Sequence, residues 1–480
     1  MERIAVVEVD LGVGRVYEHG WQSCSPSSDQ PVTGRGHGPS SPESQATSCR
    51  PGVERPSTGF QGEGLLAVVP KPGTTHVFAT TRPDLIPSIR ATLTGTTLVV
   101  EADGPVEHVV IERPLYDALG VWAESFAAKP AVIRASPTAW SSWHEYGAAV
   151  TDTDVRENVE GIAKYELPVD VIQIDDGWQS NIGDWLRPST RFDRYSSFHF
   201  HGHRLIQSSL EGLTGITDFI RMSGYRPGIW VAPFIAGADS AVLRRHPDWA
   251  GASIGNGWNQ ELFALDLANA DVRSHLVEVF GELAQYFDYF KLDYLFAGAL
   301  SGLSLYREAL SEIRAAVGDA YLVGSRAPIL PSVGLVDAMR VGPDVAPHYE
   351  PLAADDLAGA SQRSAALTTE ARAWQHGRFW VNAADSLIAH PSVERRADWA
   401  DVVAQYGGHR TSSDNIQALD GWGLEITRTL LGSVPAPVPF GSDSYPPVPS
   451  VVVTGPTGVV TPVVLATAPP DGLEGLPTPA

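Results

Sequence analysis

The chain has 480 residues, of which 43% are hydrophobic and 19% charged. This composition is typical of a folded protein with a large core and unlike that of a disordered chain. The net charge is −22 and only four of the 34 basic residues are lysines, so the sequence argues against nucleic acid as a partner. No run approaches the roughly 20 apolar residues of a membrane span, and the amino terminus lacks a basic segment followed by an apolar one. We therefore expect no membrane association and a cytoplasmic location.

Residues 1–135 are predicted to form an N-terminal β-sandwich domain. Short segments of alternating polarity follow one another there, separated by Gly, Pro and Ser. They read RIAVVEVD, GLLAVVP, THVFATT, TTLVVEAD and EHVVIER. Between residues 24 and 59 the composition shifts to Ser, Pro and Gly, which predicts a long surface loop whose order the sequence leaves open.

Residues 136–432 are predicted to form an α/β domain, a (β/α)₈ TIM barrel. Eight apolar runs alternate here with amphipathic segments of helical length, as in a barrel of parallel strands. The runs are PTAWSSW, VDVIQIDD, RPGIWVAPF, YFKLDYLF, YLVGS, VDAMRVG, RFWVNAADS and YGGHRTSSD. Residues 433–480 contain VPSVVVTG and GVVTPVVLATA, which predict a short C-terminal β region with a frayed tail.

The segment from Arg191 to Gln207 interrupts this alternation. It carries His199, His201 and His203 at alternate positions, which is compatible with a metal site on a strand. Because only Asp193 among the other residues there could serve as a ligand, we favour an exposed loop insertion. No metal and no cofactor are predicted for this chain.

Polar residues end several of the predicted barrel strands. In a barrel, such residues project from the carboxyl rim into the pocket where chemistry takes place. They are Asp175 and Asp176, Lys291 and Asp293, and Arg340 with Asp344 just beyond it. Side chains at i and i+2 of a strand share a face, so Lys291 and Asp293 should both point inward, whereas Arg340 and Asp337 should point to opposite faces.

Two carboxyl groups on different strands, one ionised and one protonated, are the minimum apparatus for glycoside hydrolysis. Lys291 would keep a neighbouring nucleophile charged, and the indoles of Trp178 and Trp230 could stack on a sugar ring. Two other enzyme classes remain open from the residues alone. An inward Lys291 beside carboxylates also suits a Schiff-base aldolase, and Asp175, Asp293 and a histidine could bind a metal in a hydrolase.

Seven ordered blocks between about Pro137 and Leu431 resemble glycoside hydrolase family 36, the α-galactosidases of the melibiase-like clan. The blocks are PTAWSSWHEY, VIQIDDGWQSNIGDW, GYRPGIWVAPF with RRHPDW, YFKLDYLFAGAL, APILPSVGLVDAMRVGPDVAP, RFWVNAADSLI and YGGHRTSSD. The resemblance implies a retaining exo-α-galactosidase acting on galactosides of the melibiose or raffinose type.

The resemblance also implies roles for individual residues. Asp293 corresponds to the catalytic nucleophile and Asp344 to the general acid/base. Asp175 and Asp176 correspond to the pair that holds the 4- and 6-hydroxyls of galactose. The further substrate contacts expected are Trp230, Lys291, Arg340, Ser325 and Trp21.

Three departures from the family pattern bear on function. Trp21 of the N-terminal loop is kept, but Cys24 stands where a second Trp is usual; Ser325, followed by Arg326, replaces a cysteine near the sugar 2-hydroxyl; and Ala383 and Ala384 precede Asp385. An α-N-acetylgalactosaminidase, a β-L-arabinopyranosidase and a galactoside-binding protein with weakened catalysis therefore stay open. A small-molecule galactoside is the expected partner, and homo-oligomer formation is left open.

Overall fold

The computed structural model describes residues 1–34, 36, 48–192, 211–353 and 356–441. The predicted C-terminal strands at 448–455 and 458–468 fall outside these residues, as do the three histidines of the predicted insertion. None of the helices within the described ranges is long and apolar enough to cross a lipid bilayer.

The amino-terminal part is a β-sandwich of two antiparallel sheets. In chain order its strands are β1 (Glu2–Glu8), β2 (Arg15–Glu18), β3 (Ser28–Pro31), β4 (Phe60–Glu63), β5 (Leu65–Lys71), β6 (Thr74–Ala79), β7 (Ser88–Thr94), β8 (Thr97–Ala102) and β9 (Glu107–Ile111). One sheet has the order β1-β8-β7-β4 and the other β3-β2-β5-β6-β9. Side chains such as Phe60, Phe78 and Leu98 fill the space between them, which is the packing that alternating strands require.

The expectation of a loop throughout residues 24–59 is wrong at β3. Ser28–Pro31 pairs with β2 in an antiparallel ladder, although Ser, Asp and Pro are poor strand formers. Its Asp29 is buried and pairs with Arg15 across that ladder. The pairing and the ion pair supply what local propensity lacks.

The following strands belong to the barrel and to a small sheet inserted in it. They are β10 (Ala139–Ser141), β11 (Val171–Ile174), β12 (Arg226–Val231), β13 (Ile235–Gly237), β14 (Ala250–Gly257), β15 (Gln260–Leu265), β16 (Tyr289–Leu292), β17 (Tyr321–Gly324), β18 (Ala338–Arg340), β19 (Val381–Ala383) and β20 (Thr411–Ser412). β13–β15 form the inserted antiparallel sheet.

The other eight of these strands, as far as the chain is described, form one parallel sheet in the order β19-β18-β17-β16-β12-β11-β10-β20. Bridges from Ala383 to His409 and from Leu387 to Ser412 join its two ends, so the sheet curls into a barrel. Each of the eight predicted runs contains one of these strands. The predicted α/β barrel with a β-sandwich is therefore confirmed.

Helices cover the barrel and connect it to the sandwich. They are α1 (Leu115–Glu124), α2 (Trp143–Tyr146), α3 (Asp152–Lys164), α4 (Glu211–Met222), α5 (Ala241–Arg245), α6 (Ala270–Leu283), α7 (Leu303–Ala316), α8 (Ile329–Ser332), α9 (Gln362–Ala371), α10 (Arg396–Tyr406) and α11 (Gly421–Leu431), with 3₁₀ turns at Gly147–Ala149, Pro247–Trp249, Leu295–Ser301, Ala373–Gln375 and Ile416–Ala418. α3 begins with a capping box between Thr151 and Asp154, which satisfies backbone N–H groups at its start.

The loop between β2 and β3 docks the sandwich on the barrel. Arg372, fully buried just after α9, donates hydrogen bonds to the backbone oxygens of Gly20, Gln22, Ser23 and Ser25 and to the hydroxyl of Ser27. It also donates to the oxygen of Val341, beside β18, at 2.8 Å. One guanidinium thus joins the sandwich loop to the carboxyl edge of the barrel.

Candidate active site

Charged side chains gather at the carboxyl ends of five barrel strands. Asp175 and Asp176 follow β11, Asp293 follows β16, Arg326 follows β17, Arg340 ends β18 and Asp385 follows β19. Asp344 lies in the loop after β18 and is held by Arg340 and Arg326. The chain direction of parallel strands brings these groups to one rim, as expected for a barrel.

Asp293 is held by neighbours on three sides. The indole Nε1 of Trp230 donates to its Oδ2 at 3.1 Å, and the backbone N–H of Tyr294 donates to its Oδ1 at 2.7 Å. The Nε of Arg326 lies 3.9 Å from Oδ1. Only 8% of Asp293 is exposed. These contacts fix the carboxylate in one orientation, which a nucleophile needs.

Asp344 is paired with two arginines. Arg340 donates to its Oδ1 at 2.7 Å and Arg326 to its Oδ2 at 3.0 Å. Burial works to raise the pKa of Asp344, but the two guanidinium groups outweigh it and hold the pKa far below its ordinary value. In this arrangement the carboxyl group of Asp344 is ionised.

Asp175 and Lys291 form a buried ion pair near Asp293. The Nζ of Lys291 donates to Oδ2 of Asp175 at 3.0 Å, and Gln173 donates to the same oxygen at 2.5 Å. Burial lowers the pKa of Lys291, but the charges of Asp175 and Asp293 outweigh it and raise the pKa above the usual value. Lys291 is therefore a cation and can donate a hydrogen bond to a ligand oxygen.

Asp176 is covered by the tip of the inserted hairpin. Gln179 donates to its Oδ1 at 2.6 Å, and the indole of Trp258, between β14 and β15, donates to its Oδ2 at 2.7 Å. Burial raises the pKa of Asp176. The Trp258 ring also approaches those of Trp230 and Tyr294, with centroids 6.4 and 5.5 Å apart. Trp258 is thus an aromatic wall that sequence reasoning missed.

Asp385 is the second site residue that sequence reasoning did not assign. Its Oδ1 pairs with Arg340 at 3.0 Å, and its Oδ2 lies 3.1 Å from Nε2 of His144. The backbone N–H of Val345 also donates to Oδ2, at 2.9 Å. Burial opposes ionisation, yet Arg340 and His144 lower the pKa of Asp385 to about 2. The signal available in the sequence was an acid ending the seventh strand.

Backbone strain is concentrated at this rim. Trp258, Tyr294, Arg326 and Asp385 have φ angles of 49°, 52°, 42° and 106°, in the left-handed region that non-glycine residues rarely adopt. Such conformations persist where surrounding structure imposes them, and they cluster at functional sites. Each of these residues bears a side chain that contacts another group of the site.

Of four other residues singled out from the sequence, one lines the charged cluster, and the others are buried elsewhere or lack a hydrogen-bond partner in the described part of the chain. Trp230 lies beside Asp293 as a wall, whereas Trp178 is fully buried and donates to the backbone oxygen of Trp230. Trp21, only 3% exposed, lines a cavity between the sandwich and Leu303 rather than the charged cluster. Ser325 is fully buried, and its hydroxyl has no hydrogen-bond partner among the described residues.

Cys24 brings the sandwich loop close to the charges. Burial raises the pKa of its thiol to about 11. The nearby arginines lower this pKa and the nearby carboxylates raise it; they are Arg326, Arg340, Asp344 and Asp293. Next to it, Ser23 pairs with Ala327 through both its backbone N–H and its hydroxyl, at 3.0 and 3.2 Å. The N-terminal loop therefore lies against the residues that follow β17.

The rim of this parallel barrel carries two fixed carboxylates, further acids and aromatic walls. This is the architecture of a barrel-type glycoside hydrolase. Residues 132–297 match the Melibiase family. The matched residues run from just before β10 to just after β16.

Curated relatives align over part of the chain. α-Galactosidase 2 of Pediococcus pentosaceus is 24% identical over 168 residues, which is 33% of this chain and 21% of that protein. The bifunctional α-galactosidase/sucrose kinase AgaSK of Mediterraneibacter gnavus is 30% identical over 140 residues, 27% of this chain and 13% of that protein. The alignments thus span about a fifth or less of these relatives' lengths.

Solved structures align over most of the chain. The α-galactosidase TtGalA of Thermus thermophilus, in complex with stachyose, is 26% identical with a TM-score of 0.74, covering 89% of this chain and 92% of that one. The family 36 α-galactosidase AgaA of Geobacillus stearothermophilus shares the fold, with 13% identity, a TM-score of 0.60 and coverage of 89% and 62%.

Proposed function

We propose that this protein is an exo-acting, retaining α-galactosidase that removes terminal α-linked galactose from oligosaccharides. The observation that carries the proposal is that Asp293 and Asp344 both reach one guanidinium, that of Arg326, and so face one space. Two carboxyl groups about 5–5.5 Å apart across such a space are the apparatus of double displacement. The α-galactosidase names of the relatives support galactose as the sugar.

In the first step, a carboxylate oxygen of Asp293 attacks C1 of the galactosyl unit. The bond between C1 and the glycosidic oxygen breaks as the aglycone leaves. Asp344, which the two arginines keep ionised in the free site, must first take up a proton in the substrate complex and then gives it to that oxygen. In the second step, Asp344 takes a proton from water, the water oxygen bonds to C1, and Asp293 is released. Two inversions give a product with the α configuration of the substrate.

The remaining acids suit the recognition of sugar hydroxyls. Asp175 and Asp176 are fixed by Lys291 and by Trp258, and carboxylates accept hydrogen bonds from hydroxyls. We assign them to the 4- and 6-hydroxyls of galactose. Trp230 and Trp258 then supply apolar walls beside the ring.

The test combines a substrate panel with variants of the two acids. We expect hydrolysis of p-nitrophenyl α-galactoside with the α-anomer as the first product by NMR, and much slower hydrolysis of the α-glucoside, α-N-acetylgalactosaminide and β-L-arabinopyranoside. Asp293→Ala should abolish turnover, and added azide should then yield β-galactosyl azide. Asp344→Ala should spare the p-nitrophenyl substrate far more than melibiose, because nitrophenolate leaves without a proton. Equal losses on both substrates would remove Asp344 from the acid role.

A further inference from the structure

The guanidinium of Arg326 lies between the two acids of the proposed mechanism. Its Nη2 donates to Asp344 at 3.0 Å, and its Nε lies 3.9 Å from Asp293. In a double displacement the reacting carbon must sit between these carboxyl groups. The side chain of Arg326 therefore occupies, or directly borders, the place of the glycosidic bond.

The protein holds Arg326 in this place by its backbone. The residue has a φ of 42°, a conformation that favours glycine. Its carbonyl oxygen accepts a hydrogen bond from the N–H of Phe296 at 2.9 Å. The next residue, Ala327, donates its backbone N–H to the hydroxyl of Ser23 and accepts from the backbone N–H of Ser23. The guanidinium also lies over the ring of Tyr294, 4.7 Å from the centroid, and donates to its hydroxyl at 3.3 Å. This is a built position for a cation.

A bound substrate must compete with these contacts. A neutral galactoside offers the guanidinium no charge in exchange for the two carboxylates. A phosphate or carboxylate does, because the planar guanidinium forms paired, charge-assisted hydrogen bonds with such oxyanions. The side chain of Arg326 is 31% exposed, so it can turn toward a group on the solvent side of the pocket.

We propose that Arg326 is a specificity-determining residue that makes the site prefer α-galactosides whose aglycone carries an oxyanion close to the glycosidic oxygen. The inference rests on the proposed α-galactosidase function and narrows its substrate class. A phosphate attached to the anomeric oxygen and a carboxylate on the aglycone present the same chemistry to the guanidinium.

The charges around Asp344 explain how such a substrate would also help the reaction. Arg326, Arg340 and Lys291 favour its ionised form. Two further acids share these arginines with it: Asp293 lies beside Arg326, and Asp385 pairs with Arg340. The other titratable groups nearby are the thiol of Cys24 and the hydroxyl of Tyr294. When the oxyanion takes over Arg326, Asp344 loses one of its two bonded cations. Its pKa then rises toward a value at which it can carry the proton that it must donate.

The experiment compares two aglycones of similar shape, 3-carboxyphenyl and 3-carbamoylphenyl α-galactoside. We expect the wild type to have a kcat/KM at least about tenfold higher for the carboxylate, the effect of one charge-assisted hydrogen bond. Arg326→Gly, which suits the backbone conformation, and Arg326→Gln should bring this ratio to about one. Both variants should hydrolyse the neutral substrate over a pH range extended to higher pH, because Asp344 keeps its proton longer.

α-Galactose 1-phosphate distinguishes the two sources of the oxyanion, since a strong preference for it over the carboxyphenyl substrate identifies phosphate as the better ligand. Arg428→Gln, on the exposed face of α11, removes the same charge from the surface and should leave the ratio unchanged. A wild-type ratio near one, or a ratio that survives in Arg326→Gly, overturns the inference while leaving the proposed function intact. Absence of hydrolysis of every α-galactoside by folded wild type and Arg326→Gly overturns both.

Discussion

Replacing Arg372 by Met should separate the sandwich loop from the barrel. Six hydrogen bonds leave this guanidinium, and five of them end on the loop at residues 20–27. Burial lowers the pKa of Arg372 to about 10, so it is charged at neutral pH. Methionine has a similar length but no donor, and it leaves the acceptors buried without their partner.

The size of the effect follows from these bonds. A hydrogen bond to a charged group contributes about 1.5–3 kcal/mol, but bonds that share one side chain are not additive. We take about 4 kcal/mol for the group, near the upper end for a single substitution. Unfolding entropies of about 2.1 cal/mol/K per residue correspond to roughly 1 kcal/mol per degree for a chain of this length. The expected fall in Tm is therefore about 4 °C.

The assay is a thermal melt at pH 7, followed by circular dichroism, with activity on p-nitrophenyl α-galactoside measured well below the melt. We also expect lower kcat/KM, because the same loop holds Ala327 next to Arg326. The control is Arg428→Met, whose half-exposed side chain pairs with Glu425 and donates to the backbone oxygen of Tyr165. Its loss should shift Tm by about 1 °C or less. An Arg372→Met protein that melts within about 1 °C of the wild type would refute the account of the loop.

Three further predictions concern the site and its support. Trp258→Phe keeps a ring but removes the donor to Asp176, so KM should rise about tenfold with little change in kcat; an unchanged KM contradicts the assigned contact. Gly177→Ala should lower the free energy of unfolding, measured by urea titration, by about 2–3 kcal/mol, since its φ is 109° and a Cβ would lie 2.5 Å from a backbone oxygen. Gly421→Ala, in open space at the start of α11, should be neutral or stabilising in the same titration. Burial raises the pKa of Asp414 to about 7, above its unfolded value near 3.9. Its contribution to stability is therefore full below pH 4 and is lost as the pH rises to 7. Asp414→Asn should flatten the fall in Tm between pH 5 and 8, and an equally steep fall in the variant would count against this.

The barrel could be predicted from the sequence because its signals are local. Each parallel strand is a short apolar run, and five of these strands end at or just before charged residues, which are unfavourable in a core. Strand parity also assigned faces: Asp337, predicted to point away from Arg340, pairs with Arg314 of α7 on the helix side. Lys291 lies next to Asp175 at the pocket.

The contacts that complete the site could not be predicted, because they join distant parts of the chain. Trp258 reaches Asp176 from a hairpin 82 residues further along, and its φ above zero goes against the preference of an aromatic residue. Arg372 lies in a segment that reads as the end of a helix, and nothing local marks its partners near residue 20. The sequence showed Arg326 only as a departure; its place between two acids is a property of the assembled rim.

Trp258 lies at the tip of the β14–β15 hairpin, so the wall of the pocket and its acids are carried by different parts of the chain. The barrel strands carry the acids, while a ribbon inserted between β12 and β16 closes one side of the pocket. Length and sequence at a hairpin tip can change with little cost to the fold. Natural or laboratory selection for a different ligand could therefore act on this ribbon alone and leave the acids of the barrel in place.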